Sequence, residues 1–232
     1  IMITGASRGL GFATAFRLAT ETGHEVTAIS RNQKKLGELK AQCLKKNAQS
    51  RLQVLAMDLE EVLYEPGKVY EKISLATREI NILIHNAGKL VNRAFEETTY
   101  EEGLGMFRTN FFVPARLTAV LLPLLKDAHV LSIGSMGGFQ GSLKFTGLSW
   151  YSAAKGALAV LTESLAAEYA DRGISFNCLC PGSVQTEMLN KAFPGFTAPV
   201  SPSEMGEFVA EFAVNGNKFF NGKILPVALS VP

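Results

Sequence analysis

Only three cysteines, Cys43, Cys178 and Cys180, occur in the 232 residues. An odd count without regular spacing is no disulfide framework, and it fits a reducing cytoplasm. Cys178 and Cys180 stand two apart in an apolar run, so on a strand they share a face and read as buried thiols. The three histidines, His24, His85 and His129, are widely separated. No His/Cys/Asp cluster has metal-ligand spacing, so no metal is expected. Neither sign of charge dominates, because 23 Lys and Arg face 21 Asp and Glu. That balance gives no electrostatic case for nucleic acid or an anionic membrane. Long apolar runs are missing too: Leu117–Leu125 is interrupted by Pro123 and followed by Lys126 and Asp127. A membrane span needs ~20 such residues. No secretory leader is visible. The opening Ile1-Met2-Ile3 reads as the inside of a strand, so further residues are expected before it.

What is present is a 47% apolar sequence, ample for a core without disulfide or metal staples. Short β-branched runs alternate with longer amphipathic stretches. Strands are expected at Ile1–Thr4, Glu25–Ser30, Gln53–Met57, Ile80–Ile84, Val130–Ile133, Ile174–Leu179 and Lys223–Val227. Helices are expected from the first Gly-rich turn to about Thr22, and at Gln33–Lys46, Pro66–Arg78, Tyr100–Leu125, Ser152–Arg172 and Ser203–Val214. Ser201 or Ser203 is positioned to cap the last, with Pro202 in its first turn. The alternation predicts an α/β fold, a parallel sheet covered by helices on both faces. No repeat or linker appears, so residues 1–232 read as one domain. The stretch Gln185–Val200 reads as a long loop, of the kind that is functional or disordered.

Two motifs carry chemistry. Thr4-Gly5-Ala6-Ser7-Arg8-Gly9-Leu10-Gly11 sits where a first strand hands over to a first helix. Backbone N–H groups and the helix dipole favour a dinucleotide pyrophosphate there, and the glycines allow its close approach. The alternative is a helix-entry turn with no ligand. Tyr151-Ser152-Ala153-Ala154-Lys155 places Tyr151 and Lys155 four apart on one helix face. A cation ~4 Å away favours the phenolate by roughly 4 kcal/mol at an effective dielectric of ~20. That is enough to bring the phenol into the neutral range, where it donates and accepts protons. Taken alone, the pair is equally a surface ladder.

Together these motifs resemble the short-chain dehydrogenase/reductase family, in its single-domain branch with Gly-x3-Gly-x-Gly and Tyr-x3-Lys. Further matches extend the resemblance from Thr4 to Met188. The family implies a Rossmann-type, doubly wound parallel sheet of about seven strands in the order 3-2-1-4-5-6-7. It implies that Tyr151 donates a proton to a substrate carbonyl and that Ser135 positions the same oxygen. It implies that Lys155 tunes Tyr151 and holds the nicotinamide ribose, while Asn110 anchors a relay water. The residue before Ser135 is Gly134, where many relatives have a second serine, and Ser149 and Ser152 remain weaker alternatives. Cofactor contacts are implied for Gly5, Ser7, Arg8, Gly9, Leu10 and Gly11 in the turn. They are also implied for Asp58 and Leu59 after the third strand and Asn86, Ala87 and Gly88 after the fourth. Pro181, Gly182, Val184 and Thr186 match the segment that fixes the carboxamide.

The second strand ends without an acid, with Ser30 at the expected acidic position and Arg31 and Asn32 following. An acid there accepts from the 2′-hydroxyl of NAD, whereas arginine suits a 2′-phosphate, so NADPH is expected over NADH. The resulting expectation is NADPH-dependent reduction of a ketone or aldehyde, or the reverse. Rival readings are a non-catalytic NADP(H)-binding regulator and an extended-branch epimerase or dehydratase. Met136, Met188 and Phe193 are candidate substrate-pocket residues. The partners expected are a small carbonyl or alcohol substrate and a second copy of the chain. The helices around Asn110 and Tyr151 would form a homodimer, and the last strand and tail, through Pro232, a tetramer contact.

Overall fold

The computed structural model describes residues 1–21 and 23–228. Its sheet contains β1 (Met2–Thr4), β2 (Glu25–Ser30), β3 (Arg51–Ala56), β4 (Ile80–His85), β5 (Leu125–Ile133), β6 (Ser175–Pro181) and β7 (Lys223–Val227). All pairs are parallel, in the order β3-β2-β1-β4-β5-β6-β7. This is the expected α/β Rossmann-type order. From β1 the chain steps outward to β2 and β3, then returns to β4 on the other side of β1. The strand order therefore reverses between β1 and β4, which opens a crevice at their carboxyl ends.

Helices cover both faces. On one, α1 (Gly9–Thr20), α2 (Gln33–Lys46) and α8 (Pro202–Asn215) bury Leu18, Leu36, Leu39, Met205 and Val209 against the sheet. On the other, α3 (Pro66–Ala76), α5 (Val113–Leu121) and α6 (Ser149–Glu168) bury Val69, Ile73, Leu117, Leu121 and Ala166 around Phe176. Fully burying one such side chain stabilises the fold by about 1.5–3 kcal/mol. Strands covered on both sides read as continuous apolar runs, which is why Ile80–His85 carries no strict alternation. Ser201 caps α8 and Glu204 completes a capping box, with Pro202 in the first turn. Buried polar groups tie the far edge: His129 Nδ1 meets Ala213 O at 2.9 Å, and Asn177 Nδ2 donates to Phe220 O at 2.9 Å.

Three expectations require correction. The single helix expected over Tyr100–Leu125 is α4 (Tyr100–Phe107), a π turn over Arg108–Phe112, and α5. Pro114 has no N–H to return to the Asn110 carbonyl four residues back. The backbone widens instead, and Val113 N–H bonds to Arg108 O. The sequence that follows makes one 3-10 turn, Leu122–Leu124, and enters β5, which begins at Leu125 rather than Val130. Finally, the expected Gln185–Val200 loop contains a helix, α7 (Glu187–Ala192). Thr22 and Leu229–Pro232, including the end of the tail, lie outside the described residues. Among the described residues no helix is long and apolar enough to cross a membrane.

Candidate active site

The crevice is built by loops sewn to one another. Thr4 Oγ1 donates to Ile84 O at 3.2 Å and accepts from the N–H groups of Asn86 and Ala87 at 3.0 and 3.1 Å. Asn86 Nδ2 donates back to Thr4 O at 3.0 Å. The turn after β1 therefore lies directly on the loop after β4. Gly5 sits at φ +70°, and a Cβ there would stand 2.7 Å from Ala87 Cα. At Gly11 a Cβ would stand 2.2 Å from Asn86 Nδ2. Only glycine fits either position, and the N-terminus of α1 is left facing the crevice with Ser7, Arg8, Gly9 and Leu10. Arg8 holds the N-cap position of α1 but gives no side-chain cap.

The end of β2 forms the crevice's outer rim. Ser30 Oγ accepts from Asn32 N–H at 3.4 Å, and Asn32 Oδ1 accepts from Lys35 N–H at 3.0 Å, capping α2. Arg31 is 76% exposed and lies 3.8 Å from Asp58 Oδ2. Asp58 also caps the short turn that begins at the buried Leu59. Arg8 and Lys35 both reach Glu187 of α7, at 3.1 and 3.3 Å.

Ser135, Tyr151 and Lys155 converge beyond the carboxyl end of β5. Gly134 N–H bonds to Leu179 O at 2.7 Å, which fixes the exit of the chain. Ser135 Oγ accepts from Gly137 N–H at 3.1 Å, and its hydroxyl lies near the Tyr151 phenol. Tyr151 and Lys155 stand on the first two turns of α6, both buried. Lys155 Nζ donates to Ile133 O at 2.7 Å and lies 5.9 Å from the Tyr151 ring centroid.

The expected lowering of the Tyr151 pKa is not found. Burial pushes the phenol up to about 12, against the opposing pull of the nearby Ser135 hydroxyl. The same burial pushes Lys155 down to about 8. The ammonium is directed at the Ile133 carbonyl, and in a dry site the loss of hydration outweighs its attraction. At neutral pH the phenol therefore carries its proton.

Asn110 is wholly buried in the π turn. Its Oδ1 accepts from Lys89 N–H at 3.2 Å, and its Nδ2 donates to Lys89 O and Met106 O at 2.7 and 2.9 Å. Both donors of the side chain are taken by protein groups, and its oxygen keeps one acceptor position. A Cβ on Gly88 would lie 3.1 Å from Asn110 Oδ1 and 3.9 Å from Lys155 Nζ, so these two groups meet at that glycine. His85 also lies close, with Nε2 2.8 Å from Thr118 Oγ1. Burial and the charge on Lys155 push this imidazole down to about 3, and it stays neutral.

The segment after β6 crosses the crevice. Gly182 N–H bonds to Val227 O at 2.9 Å, and Val184 bridges to Val200. Thr186 caps α7. Phe193, at the end of α7, packs on the cluster of Met106, Leu148 and Tyr151. Met188 is half-buried on the same helix. Met136 does not join them: it is buried against Cys178 and Cys180, because its short turn folds toward β6. The two thiols lie 3.9 Å apart behind Ser135.

Several residues of the site escaped the motifs. Lys89 holds Asn110 through its backbone, and Asn92 Nδ2 ties the end of α7 by donating to Ala192 O at 2.7 Å. Glu187 and Lys35 join across the rim. Only Glu187 carried a signal, an acid in a helical first turn after a threonine cap.

A sequence profile described as "short chain dehydrogenase" matches residues 1–195. A tropinone reductase homolog of Arabidopsis thaliana is 29% identical, over 97% of this chain and 89% of its own. The 3-oxoacyl-(acyl-carrier-protein) reductase of Escherichia coli is 32% identical, over 81% of this chain and 74% of its own. A dehydrogenase/reductase from Sinorhizobium meliloti superposes with a TM-score of 0.84 at 27% identity, covering 98% of this chain and 92% of that one.

Proposed function

Because the chain belongs to the short-chain dehydrogenase family, we propose that it reduces a ketone or aldehyde to the alcohol with NADPH. The observation that carries this reading is the convergence of Ser135, a protonated Tyr151 and Lys155 at one strand end. The cradle fits a dinucleotide, since Gly5 and Gly11 keep side chains out of a turn that opens at a helix N-terminus. Residues Gly5, Ser7–Gly11, Ser30–Asn32, Asp58, Leu59, Asn86–Gly88, Tyr151, Lys155, Pro181, Gly182, Val184 and Thr186 would hold it. When bound, the reduced nicotinamide supplies a hydride.

The chain's own groups do the rest. Charge develops on the substrate oxygen, and Ser135 and Tyr151 are the donors aimed at it. Tyr151, held neutral by burial, gives up its proton to that oxygen. Lys155, one turn along and close to losing its own proton, is placed to offset the charge left on the phenol. Asn110 fixes the backbone of Lys89 beside them. Reduction starts from the protonated phenol, and the reverse oxidation from the phenolate. Phe193 and Met188 provide apolar cover on the substrate side.

NADPH is preferred on the same reading, because Ser30 replaces the acid and Arg31 and Arg8 are at hand for a 2′-phosphate. We read residues 1–232 as one domain, since the sheet takes strands from both ends of the chain. We also read it as a cytoplasmic homodimer. Its three thiols are unpaired, and Tyr100, Phe112 and Val160 expose apolar surface on α4, the π turn and α6.

The test is a panel of ketones and aldehydes followed by NADPH absorbance, with Tyr151→Phe alongside. The variant is expected to lose 100- to 1,000-fold in rate, about 3–4 kcal/mol, with NADPH affinity within a few-fold. Retention of most activity would mean another acid is at work. NADPH binding without turnover on any carbonyl would mark the chain as a regulator.

A further inference from the structure

Glu187 has no role in the scheme above, yet it joins elements that are distant in sequence. Its Oε2 lies 3.1 Å from Arg8 Nη1 in the glycine turn, and its Oε1 lies 3.3 Å from Lys35 Nζ on α2. Beside it, Thr186 lies against the turn, with Cγ2 3.3 Å from where a Cβ on Gly9 would be. The rim that offers Ser30, Arg31 and Asn32 also carries Lys35, whose amide Asn32 caps. The other end of α7 is held by Asn92 and by Phe193 against Phe145. The ion pairs are about half exposed, at 50% for Arg8, 38% for Lys35 and 51% for Glu187, so each is weak and exchangeable. Two oxygens on two cations is an arrangement that a phosphate ester also satisfies.

We propose that Glu187 is a specificity-determining residue, an internal anion that occupies Arg8 and Lys35 until the 2′-phosphate of the cofactor exchanges with it. The proposal rests on the NADPH reading and deepens it. A cofactor without the phosphate leaves Glu187 on its cations. One with the phosphate must displace the carboxylate and then lies near it, so Glu187 holds the preference for NADPH below what Arg8 and Arg31 alone would give. No bond is made or broken in the exchange.

The test is fluorescence titration of the full chain and Glu187→Gln with NADPH and with NADH, at low and at high salt. The variant is expected to bind NADPH about three- to tenfold more tightly, while NADH changes by less than about twofold. The gain should shrink at high salt. Equal tightening of both cofactors would make α7 a general cover and overturn the exchange. Unchanged or weakened NADPH binding would overturn it as well. If the unmodified chain binds both cofactors equally, the NADPH reading fails and the exchange with it. If the unmodified chain prefers NADPH and the variant leaves the ratio unchanged, only the exchange fails.

Discussion

Replacing Asn110 by alanine removes a side chain that holds a helix and a loop together. Three hydrogen bonds disappear, to the N–H and C=O of Lys89 and to Met106 O. Each contributes about 1 kcal/mol net. Water can rescue the Lys89 groups, since that residue is exposed, but Met106 is buried, so its carbonyl loses a donor without replacement. The expected loss is about 3 kcal/mol, which for a domain of this size lowers the melting temperature by about 6–12 °C. Asn110→Asp should be at least as damaging. It keeps an acceptor for the Lys89 N–H but sets a carboxylate against two carbonyl oxygens. Urea unfolding followed by circular dichroism gives the free energy, and a parallel thermal scan gives the temperature. A melting point for Asn110→Ala within about 2 °C of the unmodified chain would refute the reasoning. It would mean that Pro114 alone sustains the π turn.

Three further outcomes are expected. Lys155 titrates near 8 when folded and near 10.5 when unfolded, so the unfolded chain binds more protons between those values. Stability should therefore rise with pH from 8 to 10, by about 2–3 kcal/mol relative to Lys155→Met, in urea titrations; parallel curves would contradict it. His85 stays neutral down to about 3 against an ordinary 6.5, so stability is lost as the pH falls below 6.5. Between pH 6 and 4.5 the unmodified chain should lose about 2 kcal/mol more than His85→Asn, and equal losses would show that the imidazole charges in the folded state. Arg31→Ala should raise the NADPH dissociation constant about tenfold, the lower end for a charge-assisted bond on so exposed a side chain. NADH binding should be unchanged, and adding Ser30→Asp should move preference toward NADH; unaltered NADPH titration would remove Arg31 from the site.

The strand–helix alternation and the glycine turn were legible because both depend on local patterns: short apolar runs, intervening amphipathic stretches and fixed glycine spacing; the strand order followed from the family resemblance. Tyr151 and Lys155 were legible as a helical pair for the same reason. The environment of that pair was not. Spacing reveals a neighbouring cation, but not that burial at both groups outweighs it or that Ile133 O takes the ammonium. The π turn was hidden because a one-residue slip leaves the apolar positions of 100–121 looking helical throughout. Glu187 and its cations are separated by 179 and 152 residues, and no local pattern joins them. Met136 looked like pocket lining because its chemistry suits either side of a turn, and only the path of the chain chooses between them.

The π turn also constrains how this chain can vary in length. It is one residue of surplus in a helix, and each α-helical residue advances the phase by about 100°. Deleting Phe111 would let the backbone close up into a regular helix. Because the wide turn absorbs that residue, everything downstream would keep its phase, with Val113, Leu117 and Leu121 still facing the sheet they now bury against. Asn110 would keep its place before the deletion while its supporting turn changed pitch. A one-residue gap here therefore keeps the face of α5 but loses the wide turn that holds Asn110 and accommodates Pro114. Insertions and deletions should be tolerated in the exposed turn at Ala48-Gln49, whereas within α5 each added or lost residue would turn the buried face by about 100°.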